Sequence, residues 1–112
     1  MKVIEIGNKA YEIKFTINTL VRMEEDGIDV MHMENLMNNM NFALIRKLFY
    51  YGLINSAGKS LTVNKAGDMM DEYLENHNYR DLMTALLTEL AKALGYDVDA
   101  KEQGESDEEA GK

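Results

Sequence analysis

Few side chains in this sequence have the type and spacing that chemistry needs. There is no cysteine, so a thiolate nucleophile, a thiolate zinc site and a disulfide are all ruled out. The only histidines are His32 and His77. His32 has Glu34 nearby and His77 has Asp81 four residues on, but neither makes a two-histidine helical pair. Both read as solvated loop or surface residues, and no metal site is expected. Gly58-Lys59-Ser60 matches the last three positions of a phosphate-binding loop, but the first glycine is missing. No serine lies in a nucleophile-elbow context.

The carboxylates need no chemistry either. Asp68, Asp71, Glu72 and Glu75 fall on the polar side of one helical stretch and read as a solvated face. Glu24-Glu25-Asp26 stands at an expected helix end, where negative charge opposes the dipole; it reads as a solvated terminus. No catalytic residue and no cofactor is expected.

The methionines are more informative. The chain has nine, and four of them, Met31, Met33, Met37 and Met40, crowd one short stretch. Methionine is flexible and polarizable, and is favoured on surfaces that accept varied partners. It also fills loosely specified cores. Both readings stand at this point.

The elements that would position these residues follow from periodicity. Lys2–Ile6 and Ala10–Phe15 alternate as strands around Gly7-Asn8-Lys9, a hairpin turn. Ile4 and Ile6 share one face of the first strand; Tyr11, Ile13 and Phe15 share one face of the second. A lone hairpin is marginal in water, so that face must pack on helices. A first helix is expected over 16–26, capped by Thr16 or Asn18, with Ile17, Leu20 and Val21 inward, and stopped by Gly27. A second is expected within 29–39. A third over 41–54 carries Phe42, Ile45, Leu48, Phe49 and Gly52 on one side; Tyr50, Tyr51 and Leu53 widen the stripe, so it should be buried on more than one face. Residues 55–59 read as a loop. Thr62 caps a fourth helix with Val63, Ala66, Met69, Met70, Tyr73 and Leu74 inward, in which Gly67 would permit a close contact. The last helix, 79–94, stacks Leu82, Leu86, Leu90 and Leu94 and ends at Gly95.

The fold class is thus mainly α (α+β): an N-terminal β-hairpin, 2–15, packed on a bundle of about four to five helices, 16–95. One domain covers 1–96. The remaining 97–112 holds seven acidic and two basic residues, five of the eight net negative charges of this 112-residue chain. With almost no apolar content it reads as a disordered tail, serving as a solubilising appendage, a contact for a basic partner or a tether. Net acidity argues against nucleic-acid and anionic-membrane partners. No stretch approaches the roughly 18 apolar residues of a membrane span.

Two resemblances bear on function. Leu61-Thr62-Val63-Asn64-Lys65-Ala66-Gly67-Asp68 resembles the end of a wing and the start of a helix in winged-helix regulators. Its basic neighbours Arg46, Lys47, Lys59, Lys65 and Arg80 are scattered among acids, and a small acidic transcriptional regulator is the alternative reading. The order of features along 1–96 is similar to the tail assembly chaperones of long-tailed phages of Gram-positive bacteria. The residues that carry this are 3–15 (Val3 to Phe15), Leu20 to Ile28, the block Leu48-Phe49-Tyr50-Tyr51-Gly52-Leu53, Leu61-Thr62 opening a helix, and a terminal leucine helix before a charged tail.

That resemblance implies a small, helical, non-catalytic protein of the host cytoplasm, absent from the finished virion. Its partner would be the tape-measure protein, coated before tail-tube subunits polymerise around it. Contact with the tail-tube protein and self-association are left open, as is a longer product made by frameshifting. An adaptable apolar groove would receive a helix of the partner. The expected groove runs along Met33, Leu36, Met37, Met40, Phe49 and Leu53.

Overall fold

A computed structural model describes residues 2–96. The expected tail, 97–112, lies outside the described residues. β1 (Lys2–Ile6) and β2 (Lys9–Ile13) form an antiparallel hairpin with Ile4 opposite Tyr11 and Ile6 opposite Lys9. The turn is two residues long, and Gly7 takes φ +63°, which a glycine reaches without a Cβ penalty. The hairpin is followed by α1 (Ile17–Glu25), α2 (Met33–Asn38), α3 (Phe42–Ala57), α4 (Val63–Leu74) and α5 (Tyr79–Ala93). The fold is a two-stranded hairpin packed on five helices.

Each long helix begins on a side-chain cap. Thr16, Asn41, Thr62 and Asn78 each accept a backbone N–H from three residues on, satisfying one donor of the first turn. α3 is the central element. Ile45, Leu48, Phe49 and Leu53 have no exposed surface, and Tyr51 and Gly52 are buried as well. Leu82, Leu86 and Leu90 of α5 and Ala66, Met70 and Tyr73 of α4 close the same core with Ile4, Ile6, Ile13 and Phe15 of the hairpin segment.

Gly52 sets how closely the hairpin approaches α3. A Cβ there would sit 3.1 Å from Phe15 Cζ and 3.2 Å from Ile13 Cγ2. Its carbonyl accepts the Lys14 N–H at 2.9 Å. One turn on, the Ser56 hydroxyl accepts the Glu12 N–H at 3.1 Å and donates to the Glu12 carbonyl at 3.1 Å. These bonds explain one departure from the sequence reading. Asn55-Ser56-Ala57, expected as loop, form the last turn of α3, because Ser56 binds β2 and Asn55 Nδ2 donates to Thr19 Oγ1 at 3.3 Å. The helix ends at Gly58 instead, at φ +94°.

Two apolar faces also differ from expectation. Ile17 and Val21 of α1 point outward; Thr19, Leu20 and Met23 point in. The buried Thr19 hydroxyl is satisfied by Thr16 Oγ1 at 2.8 Å and by Asn55, so a polar residue holds a place that hydrophobic spacing assigned to Val21. Phe42, assigned to the inner stripe of α3, is 74% exposed: at the first position of α3 it lies against the Tyr79 ring on the wall of a surface groove, one turn before the buried Ile45.

Candidate partner-binding surface

The segment between α1 and α3 carries the methionines. Ile28 and Val30 are buried and pin its start to the core. α2 is six residues long, and Leu36 is its one buried residue. Met33 and Met40 are half-buried against the core; Met31 and Met37 are 65% and 51% exposed. Both readings of the methionines therefore hold, each for part of the run.

Of the six residues expected to line a groove, the structure brings only part to the surface. Phe49 and Leu53 have no exposed area and Leu36 has 3%. They lie in the core, because α3 is buried on more than one face, as its wide apolar stripe predicts, by β2, α1, α4 and α5. Met37 exposes about half of its surface, and Met33 and Met40 are half-buried. Phe42 is the residue the sequence reading left out of this surface. Its signal was there: Asn41 is a cap, which places Phe42 at the first position of the helix, ahead of the first core-facing residue.

Two grooves flank the start of α3 and share Ala43. One, of about 370 Å³, lies under α2 between Ile28, Leu36, Leu44 and Lys47. The other, of about 810 Å³, runs between α3, α4 and α5, with Phe42, Arg46, Met70, Leu74 and Tyr79 along it. The Phe42 and Tyr79 rings pack with centroids 5.2 Å apart, at a tilt of 58°. Arg46 crosses α4 at Gly67, where a Cβ would lie 3.0 Å from Arg46 Cδ. Gly67 does permit a close contact, and its neighbour is the stem of an arginine. The Arg46 Nε is buried without a hydrogen-bond partner.

Polar clips hold the border of this surface. Asp29 receives the His32 ring at 2.9 Å and Asn35 Nδ2 at 3.4 Å, tying the approach of α2 to its first turn. The hydrogen bond from His32 is the main reason the Asp29 carboxyl is held below the usual aspartate range; slight desolvation opposes it and Asn35 adds to it. The carboxylate of Asp26, at the end of α1, accepts from Lys47 Nζ at 3.3 Å and from the Tyr51 hydroxyl at 3.1 Å. Negative charge at that helix terminus is therefore paired as well as solvated. Burial, and then Asp26, push the Tyr51 hydroxyl above its usual pKa.

His77 stacks on Tyr73, rings parallel within 3° and 4.1 Å apart. Among the described residues no three His, Asp or Glu side chains gather as a metal site, and no helix is long and apolar enough to cross a membrane. Comparison with protein-family models, with curated proteins and with solved structures found no match.

Proposed function

We propose that this chain is a non-catalytic binding protein of the tail assembly chaperone type, which keeps a long helical tape-measure protein soluble until tail-tube subunits polymerise around it. The observation that carries the reading is the exposure of Met31, Met37 and Phe42, three large apolar side chains within twelve residues, with Phe42 on the wall of one of the two grooves that flank the start of α3. Single exposed apolar residues are ordinary, whereas a run of them rimmed by polar groups marks a contact surface. Methionine side chains adapt to different sequences along a repetitive helical partner, and an amphipathic helix would lay its apolar face on these side chains. The order of strands, capped helices and leucine helix supports the phage assignment through its resemblance to that family. Assembly in the host cytoplasm, contact with the tail-tube protein and absence from the virion belong to the same proposal.

The test is co-expression with the tape-measure protein of the same genome, followed by size-exclusion chromatography with light scattering. The expected result is a soluble complex with several copies of this chain per tape-measure chain. Met31→Ser, Met37→Ser and Phe42→Ser together should abolish that complex and leave the far-ultraviolet circular dichroism unchanged. A tape-measure protein that precipitates while this chain stays free overturns the reading. Salt-dependent binding to DNA would favour the winged-helix regulator instead.

A further inference from the structure

The hairpin has two outer edges, and the fold covers only one. On β2, the Lys14 N–H is taken by Gly52, and the Glu12 N–H and carbonyl by Ser56. Glu12 therefore points its backbone away from β1. In an antiparallel pair its partner Val3 must do the same on the opposite edge, and so must Glu5, two residues on. The backbone N–H and C=O groups of Val3 and Glu5 have no partner among the described residues. Val3 is 58% exposed. Beside this edge runs a groove of about 800 Å³, with Asp81, Ala85 and Thr88 of α5 on its far wall.

We infer that the open edge of β1 pairs with β1 of a second copy of this chain, antiparallel across a twofold axis, to make a continuous four-stranded sheet. Unpaired edge groups of a strand are satisfied by another strand. β1 is self-complementary in one register. With Ile4 opposite the second copy's Ile4, Val3 lies opposite the second copy's Glu5, and four N–H···O=C bonds form across the axis. The same register places the second copy's Lys2 opposite Ile6, one residue from Gly7. Glu72 waits there: a Cβ on Gly7 would meet its Oε2 at 2.7 Å. Lys2 shares the face of Ile4 and Ile6, which is the face that α4 approaches. Neither Lys2 nor Glu72 has an ion pair within the described residues. Parallel pairing would set Lys2 beside Lys2 and leave Glu72 without a cation, so charge selects the antiparallel arrangement.

The experiment is sedimentation velocity of the full chain over a wide concentration range, joined to amide exchange by nuclear magnetic resonance. The expected result is a reversible dimer in which the Val3 and Glu5 amides become protected as concentration rises. Val3→Pro removes an outward N–H that the hairpin itself does not use. It should weaken the dimer roughly 30-fold, from two hydrogen bonds lost per dimer, with unchanged circular dichroism. Lys2→Glu should weaken it a few-fold, and Lys2→Glu with Glu72→Lys should restore it, a readout independent of the proline variant. A monomer at every concentration overturns the inference. So does a dimer that Val3→Pro leaves unchanged, or one in which the Val3 and Glu5 amides stay unprotected.

Discussion

Two glycines sit inside helices of this fold, and replacing each by alanine should move stability in opposite directions. In a helix interior, alanine is favoured over glycine by about 1 kcal/mol through backbone entropy alone. At Gly52 the new methyl group would meet Phe15 Cζ at 3.1 Å and Ile13 Cγ2 at 3.2 Å. Both neighbours are buried, Ile13 fully, and the Lys14–Gly52 hydrogen bond fixes the spacing of strand and helix. Overpacking of this kind costs roughly 1–3 kcal/mol, so the net for Gly52→Ala is a loss of about 1 kcal/mol. At Gly67 the methyl group would meet Arg46 Cδ at 3.0 Å. That atom belongs to a flexible side chain at the rim of a groove, and a rotamer change relieves the clash. Gly67→Ala should therefore gain about 0.5 kcal/mol, most of the helix term. The assay is urea unfolding followed by circular dichroism, with both variants and the parent fitted for midpoint and slope. In a domain of this size the two alanine variants should differ in melting temperature by several degrees. If Gly52→Ala is stabilised as much as Gly67→Ala, the close approach of hairpin and α3 does not limit the fold, and the reasoning fails.

Leu36→Ala removes the one buried anchor of α2 and should cost about 2–4 kcal/mol if α2 stays folded onto the core, less if it detaches. Limited proteolysis between Met31 and Met40, faster than in the parent, would show detachment. Ser56→Ala should cost about 1 kcal/mol and speed exchange of the Glu12 amide, leaving that of Ile4 slow, because it opens the β2 edge without touching the strand pairing. The Asp29 carboxyl titrates below the usual aspartate value in the folded state, so the contribution it makes to holding α2 is complete above the unfolded value of about 4. It is lost as pH falls through the lower folded value. A carbon-13 titration of that carboxyl should show the lowered midpoint, and His32→Ala should return it toward the usual value; an unmoved midpoint refutes the role of His32.

Much of the fold is legible in the residues. The hairpin follows from alternation around a glycine turn, and β1 occupies the span its alternation sets, Lys2–Ile6; β2, expected over 10–15, is Lys9–Ile13, because Lys9 pairs with Ile6 and the Lys14 N–H turns to Gly52. Thr16 and Thr62 announce two helix starts, and Asn41 and Asn78 cap two more in the structure, since their short oxygens accept the first-turn N–H. The spacing of Leu82, Leu86 and Leu90 marks the buried face of α5. The contact surface was less legible. Met33, Met37 and Met40 look alike to a periodicity argument, yet their exposure depends on how α2 leans on α3. Phe49 and Leu53 belong both to the wide apolar stripe of the third helix and to the expected groove; α3 is enclosed on several sides, and both are core.

By itself the sequence determined what is local: the place of the turn, the caps at Thr16 and Thr62, the leucine stripe of α5, the lack of thiol chemistry and the acidic balance. These depend on φ/ψ preference, hydrogen bonds within three or four residues, and composition. Tertiary structure alone decided which apolar residues stay outside, where α3 ends, and which edge of the hairpin is covered. Each of those depends on contacts between residues far apart in the chain, such as Ser56 with Glu12 or Thr19 with Asn55, and no spacing along one segment encodes them.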